Sequence, residues 1–122
     1  MGAIRRFLLL EAFAFAAAAL AHSGVLIDGY EHTEARIAES VIALVLLLGA
    51  LLSWIRPQWT RAAGTVAQGF ALLGTLVGVF TIVVGIGPRT VPDIVYHAGI
   101  VAVLVWGVLV AASARRLSEP GA

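Results

Sequence analysis

One carboxylate lies deep inside an apolar segment of this 122-residue chain and is the first candidate for chemistry. Glu11 is preceded by FLLL and followed by AFAFAAAALA. Ionisable groups inside apolar membrane segments are costly and commonly carry protons or ions. Gln68 lies at a comparable depth in a later apolar segment, where it could hydrogen-bond Glu11, and Thr75 follows two helical turns later on nearly the same face. These residues predict an intramembrane polar site for proton or cation transport. A protonated Glu11 bonded to Gln68 is the purely structural alternative.

The three histidines form the second candidate group. His22, His32 and His97 fall near the ends of apolar segments that carry acids, and Glu39 and Asp93 are the nearest carboxylates inside predicted helices. Imidazole together with carboxylate suits zinc, copper, nickel or iron, and His22 with His97 could ligate one haem iron. The histidine spacing matches no compact metal motif. We therefore predict no cofactor and leave a metal ion or haem as the alternative.

The composition excludes several classes of protein. The absence of cysteine removes disulfides and thiolate metal sites, and a net charge of +1 with no lysine gives no basic surface for nucleic acid. No phosphate-binding glycine loop, GxSxG or HExxH motif occurs, so we expect no enzyme. At 61% apolar and 12% charged residues, the chain has more apolar surface than a core of this size can bury. The lipid bilayer is its expected surrounding.

Four apolar segments position the candidate residues. They predict helices over about residues 4–22, 37–55, 62–86 and 93–114. Each is close to the roughly 20 residues that cross a bilayer. Pro57 disfavours helical geometry at Arg56 and so ends the second segment. Thr90, with Asp93 three residues later, predicts a capping box at the start of the fourth. The predicted fold class is all-α, a single-domain four-helix transmembrane bundle.

Charged residues alternate between the two predicted sides of the membrane. Six of the eight arginines belong to one side, namely Arg5, Arg6, Arg56, Arg61, Arg115 and Arg116. Five of the seven acids belong to the other, namely Asp28, Glu31, Glu34, Glu39 and Asp93. The positive-inside rule then predicts that both termini are cytoplasmic, with all three histidines near the opposite face. A signal peptide cleaved after Ala21 is the alternative for the first segment, and Glu11 makes it the less favoured one.

The third segment carries a stripe of small residues at alternating spacings of three and four. Its members are Gly64, Ala67, Ala71, Gly74, Gly78, Thr81 and Gly85. Small residues let helix backbones approach closely in lipid, where van der Waals contact drives helix association. We expect this stripe to pack against other helices of the same chain. A homodimer formed through the same stripe is the alternative.

Two stretches of the chain resemble a known group of proteins. They are QGFALLGTLVGVFTIVVGIGPRTVPDIVYHAGI (68–100) and GYEHTEARIAESVIAL (29–44), which are similar to small four-helix bacterial inner-membrane proteins without an assigned function. The resemblance implies a multi-pass protein of the bacterial cytoplasmic membrane and brings no activity with it. The leading functional prediction is an accessory or interaction subunit that meets a membrane-protein partner through its acidic, histidine-bearing extracytoplasmic end. Proton- or cation-coupled transport through Glu11 comes second. A metal- or haem-binding redox subunit using His22 and His97 comes third.

Overall fold

The protein folds as four α-helices in a computed structural model that describes residues 1–115. The helices are α1 (Gly2–His22), α2 (Thr33–Ile55), α3 (Thr60–Val83) and α4 (Val91–Ser113), with a 3-10 turn at Pro57–Trp59 between α2 and α3. The described part of the chain contains no β-strand, which confirms the all-α prediction. Arg116, which the sequence analysis assigned to the cytoplasmic side, lies outside the described residues.

A histidine cap sets the start of α2. The apolar segment predicted a start at residue 37, but the helix begins at Thr33. His32 is the N-cap residue, and its Nδ1 accepts a hydrogen bond of 3.2 Å from the backbone N–H of Ala35. An N-cap side chain satisfies one of the backbone donors that a helix start leaves free. The helix therefore includes a polar turn that hydrophobicity alone does not reveal.

The connection between α3 and α4 is set by a glycine and a capping box. α3 ends at Val83 and not at the predicted residue 86, because the chain turns at Gly85, whose φ of 85° is left-handed. The capping box predicted at Thr90 and Asp93 is confirmed. The Thr90 backbone N–H donates to Asp93 Oδ2 across 3.1 Å, and the Asp93 backbone N–H donates to Thr90 Oγ1 across 3.4 Å.

Three of the four helices are long and apolar enough to cross a membrane. These segments are Thr33–Ile55, Pro57–Val83 and Val91–Ser113. α1 has a similar length, but Arg5, Arg6 and Glu11 lie along it and leave it more polar than the others. Large apolar side chains remain exposed on the outside of the bundle, far more than a water-soluble surface of this size carries. This exposure is what a lipid surrounding requires.

Arginines join neighbouring helices at one end of the bundle, which we call the arginine end. Arg5 of α1 donates to the carbonyl of Ser53 in the last turn of α2 across 2.6 Å. Arg61 of α3 donates to the carbonyl of Ala112 in the last turn of α4 across 2.9 Å. Both arginines thus satisfy carbonyls that a helix C-terminus leaves without a partner, and their charge suits the negative end of the helix dipole. The helices alternate in direction, so both ends of the described chain lie here.

α1 contacts each of the other three helices, whereas α2 and α4 occupy opposite corners of the bundle. The core contains Leu8 and Phe15 of α1, Leu46 of α2 and Leu104 of α4, all of them at most 2% exposed. This arrangement brings the inward face of α1 into contact with polar groups from every other helix.

The small residues of α3 face the rest of this chain along most of the helix. Ala67 and Ala71 are buried, and a Cβ added at Gly74 would lie 2.9 Å from Ile42 of α2. A Cβ added at Gly64 would overlap the side chain of Ile4 of α1. Gly78 lies against His97 of α4, and Gly85 lies beyond the end of the helix and is exposed. The close approach of the backbones therefore depends on these small residues.

Candidate functional site

Glu11 and Gln68 meet inside the bundle. Both side chains are 0% exposed, and Gln68 Nε2 donates to Glu11 Oε1 across 3.1 Å. The remaining oxygens, Glu11 Oε2 and Gln68 Oε1, are buried without a hydrogen-bond partner. An ionised carboxylate with one hydrogen bond is costly to bury. A proton on Oε2 would make Glu11 a donor as well as an acceptor, and Gln68 Oε1 is a free acceptor on the same partner. A protonated Glu11 thus lowers the cost of burying this carboxyl group.

A glycine of α4 makes room for this polar pair. A Cβ added at Gly107 would lie 2.6 Å from Glu11 Oε1 and would overlap the amide nitrogen of Gln68. The pair is therefore enclosed by α1, α3 and the bare backbone of α4. Thr75, the third residue predicted for this site, is buried, but its hydroxyl donates to the carbonyl of Ala71 in its own helix across 2.7 Å.

Three ionisable side chains join α1, α2 and α4 at the opposite end, which we call the acidic end. His22 Nδ1 lies 2.8 and 3.0 Å from the two carboxylate oxygens of Glu39, and His22 Nε2 lies 3.1 Å from Asp93 Oδ1. The three residues, which we call the His22 cluster, are 5%, 6% and 5% exposed. The cluster is a buried polar link between α2 and α4, whose backbones are not in contact.

The contacts of the His22 cluster set a minimum for the protons it holds. A neutral imidazole has one N–H and cannot donate to two carboxylates at once. The cluster therefore holds at least one proton more than a neutral imidazole and two carboxylates would hold, either on the ring or on a carboxyl group. With one such proton it keeps one net negative charge. Removing His22 would leave two buried carboxyl groups facing each other without their donor.

The other two histidines have separate roles. The Nδ1 of His32 already accepts the hydrogen bond that caps α2, so its 3.5 Å contact with Glu34 is not an ion pair, because that nitrogen carries no proton. The ring of His32 lies 6.3 Å from that of His22, centre to centre. His97 Nδ1 donates to the backbone carbonyl of Asp93 across 2.7 Å, which leaves its Nε2 directed toward α3.

The donor arrangement bears on the metal hypothesis for His22, His32 and His97 with Glu39 and Asp93. Within residues 1–115, no three His, Asp or Glu side chains are grouped in a way that could hold a metal ion. Both ring nitrogens of His22 contact carboxylates, so a metal or haem iron would have to displace one of these contacts. Ligation by these residues stays a prediction.

A cavity of about 450 Å³ lies beside the His22 cluster, between the acidic ends of α2 and α3. The two helices are in close contact where Gly74 meets Ile42, and the cavity begins on the acidic side of that contact. Ala38 of α2 and Val77 of α3 line it and are also exposed on the outer surface, so it opens between the two helices. Glu11 does not line the cavity.

Polar groups enter the cavity from three sides. Glu39 lines it from α2, Thr75 and Thr81 from α3, and Tyr96 and His97 from α4. The imidazole of His97 stacks edge-on against Tyr96, with 5.5 Å between the ring centres. The cavity is thus an apolar space with a polar inner wall, which is the general character of small-molecule sites.

Sequence reasoning grouped Glu39 with His22 only as candidate metal ligands, and it missed the space that Gly107 leaves for Glu11 and Gln68. Gly107 lies three residues after Leu104 and four before Ala111, both fully buried, and this helical spacing marks it as an inward-facing small residue. The signal for Glu39 is its place at the acidic end together with a histidine that needs a partner. Comparisons with protein-family models, with curated proteins and with solved structures found no match to this chain.

Proposed function

We propose that the protein is a four-pass protein of the bacterial cytoplasmic membrane with its arginine end in the cytoplasm. Three apolar helices support the membrane assignment, and the burial of Glu11 supports α1 as the fourth crossing. The orientation is supported by the described arginines at or next to the arginine end, which are Arg5, Arg6, Arg56, Arg61 and Arg115. The bacterial membrane is supported by the resemblance of residues 68–100 to small inner-membrane proteins.

We infer that it works as a small proton-coupled transporter in which Glu11 carries the proton. The observation that supports this function is a fully buried carboxyl group whose second oxygen has no protein partner. A carboxyl group with only a structural role would be expected to have its hydrogen bonds satisfied. Glu11 has one bond, to the flexible side chain of Gln68, and can exchange its proton without breaking a larger network.

The cavity supplies the route by which a solute and protons would approach Glu11 from the acidic end. It extends from His32 and Glu34, at the start of α2, to Thr75 and Phe15 inside the bundle. Phe15 is four residues from Glu11, one helical turn away on the same face of α1. Phe15 lines the cavity and lies between it and Glu11 along α1, so movement of its ring would connect the two.

The accessory-subunit function has less support. Its recognition surface was expected to include His22, Glu39 and Asp93, but these side chains are buried and contact one another. The acids that stay exposed at this end are Asp28, Glu31 and Glu34. A co-purifying membrane protein that is lost when these three acids are neutralised would favour this function over transport.

Infrared spectroscopy tests the proton on Glu11 without knowledge of the solute. In protein purified in mild detergent at neutral pH, we expect the carbonyl stretching band of a protonated carboxyl group, and we expect Glu11→Gln to remove it. The matched control is Glu31→Gln, because Glu31 is exposed and does not line the cavity. A protonated carboxyl group of the His22 cluster would give a band of its own, so a spectrum that Glu11→Gln leaves unchanged contradicts the assignment.

Reconstituted vesicles test the transport step. Vesicles with an entrapped pH-sensitive dye are challenged with cationic, neutral and anionic solutes, and the pH change that depends on solute is recorded. We expect this change in the original protein and in Glu31→Gln but not in Glu11→Gln. Circular dichroism checks that each variant keeps its helices. An unchanged response in a folded Glu11→Gln protein would remove Glu11 from the mechanism.

A further inference from the structure

We propose that the cavity at the acidic end binds a protonated amine that carries an apolar body. Taken as the substrate class of the transporter, this inference rests on the proposed function. Taken as a binding site, it rests only on the residues that line the cavity, and Glu11 is not one of them.

The polar groups of the inner wall present lone pairs and few donors. The hydroxyls of Thr75 and Thr81 each donate to a carbonyl of their own helix across 2.7 Å, so each has only acceptor capacity left for a ligand. The Nδ1 of His97 donates to a backbone carbonyl, so its Nε2 is an acceptor when the ring is neutral. The unpartnered hydroxyl of Tyr96 can donate, but the other groups of this wall favour a ligand that brings its own N–H donors.

The carboxylates that line the cavity give it a negative charge, which favours the same kind of ligand as these lone pairs. Glu39 lines it, and the His22 cluster to which Glu39 belongs has one net negative charge when it holds a single extra proton. Glu34 adds a second carboxylate at the start of α2. Within residues 1–115 no arginine lines the cavity, and the chain has no lysine. A cation is attracted in this setting, whereas an anion meets both like charge and lone pairs.

The remaining walls select for an apolar body on the cation. Ile42, Val77 and Ile86 are aliphatic, and the rings of Phe15 and Tyr96 meet edge to face with 6.2 Å between their centres. Aromatic faces attract ammonium groups, most strongly where water is excluded. The volume of about 450 Å³ is in the range of small-molecule sites. The opening between α2 and α3 would admit an amphiphile from the bilayer or from its surface.

Three probes with one apolar body and different charges test the proposal. They are 2-(1-naphthyl)ethylammonium, the neutral 2-(1-naphthyl)ethanol and the anionic 1-naphthylacetate. Binding to the full chain in mild detergent is measured by calorimetry, with the heat of protein-free micelles subtracted. We expect the ammonium probe to bind at least about tenfold more tightly than the other two, because a hydrogen bond to a charged group is worth more than about one decade of affinity.

Matched variants locate the site. Ala38→Phe fills the mouth of the cavity from an exposed position and should abolish binding of the ammonium probe, whereas Ala16→Phe makes the same change on the exposed outer face of α1 and should not. His97→Phe removes one acceptor and should weaken binding by about tenfold. Equal binding of the three probes, or ammonium binding that survives Ala38→Phe, would overturn the proposal.

A last variant separates this inference from the proposed function. Glu11→Gln should still bind the ammonium probe, because Glu11 does not line the cavity. Binding that persists while solute-dependent pH change is lost supports both proposals. A probe that fails to bind the original protein overturns the amine site alone, since the infrared band of Glu11 is measured without any solute.

Discussion

The substitution Gly107→Ala adds a single methyl group at the most crowded point of the buried pair formed by Glu11 and Gln68. The new Cβ would lie 2.6 Å from Glu11 Oε1 and would overlap the amide nitrogen of Gln68. Both atoms are ends of flexible side chains, but both side chains are 0% exposed and bonded to each other. They can move away from the methyl group only by giving up their hydrogen bond.

The structure gives the expected size of this effect. Each of the two buried polar groups that loses its hydrogen-bond partner lowers the free energy of unfolding by about 1–3 kcal/mol. Replacing glycine by alanine inside a helix raises it by about 1 kcal/mol. The net loss of unfolding free energy is therefore about 1–5 kcal/mol. Gly99→Ala is the matched control on the same helix, because nothing lies within 4 Å of its added Cβ. It should leave the protein equally stable or slightly more stable.

Unfolding of the helices by sodium dodecyl sulfate in mixed micelles, followed by circular dichroism, measures both variants. A second comparison places Gly107→Ala in a protein that already carries Gln68→Ala. With the amide removed, the methyl group has room, so the two substitutions should cost less together than the sum of their separate effects. A Gly107→Ala protein as stable as Gly99→Ala would refute the close packing of α4 against the pair.

Two further pairs of substitutions test the ends of the bundle by the same unfolding measurement. His22→Ala should lower the free energy of unfolding by about 3–5 kcal/mol, because it leaves buried carboxyl groups without their donor. His32→Ala removes only a helix cap and should lower it by about 1 kcal/mol. Equal losses in the two variants would contradict the buried His22 cluster. Arg5→Met should cost about 1.5–3 kcal/mol through the lost hydrogen bond to the carbonyl of Ser53. Arg6→Met, at an exposed position, should change the free energy of unfolding by no more than about 0.5 kcal/mol. A larger loss in Arg6→Met would show that the arginine charge stabilises the protein without the hydrogen bond.

The sequence predicted the helices well because its signals for them are local. Long apolar segments and the Thr90–Asp93 capping box each act within a few residues, and the structure contains four helices with that capping box. The ends of the helices were less well predicted where polar residues extend a helix beyond its apolar segment, as at Thr33. A stop determined by backbone conformation, as at Gly85, also leaves no mark on hydrophobicity.

Contacts between helices could be predicted only where a polar residue had few possible partners at its depth. Glu11 is the single carboxylate well inside an apolar segment and Gln68 a polar residue at similar depth, so their pairing could be suggested from depth alone. At the acidic end several acids and three histidines compete, and the choice of Glu39 and Asp93 for His22 depends on the rotation of each helix about its axis. The cavity depends on the separation of α2 and α3, which no local pattern encodes.

The central position of α1 has a consequence for the order of membrane insertion. α1 emerges first from the ribosome, yet the partner of Glu11 lies on α3 and one partner of His22 lies on α4. The partner of Arg5 becomes available earlier, once α2 has been synthesised as far as Ser53. In a bilayer, the first helix would therefore wait with unpaired polar groups until the fourth has been inserted. A chain interrupted before Asp93 would leave the Nε2 of His22 without this partner and expose it to the insertion machinery and to proteases that recognise incomplete membrane proteins.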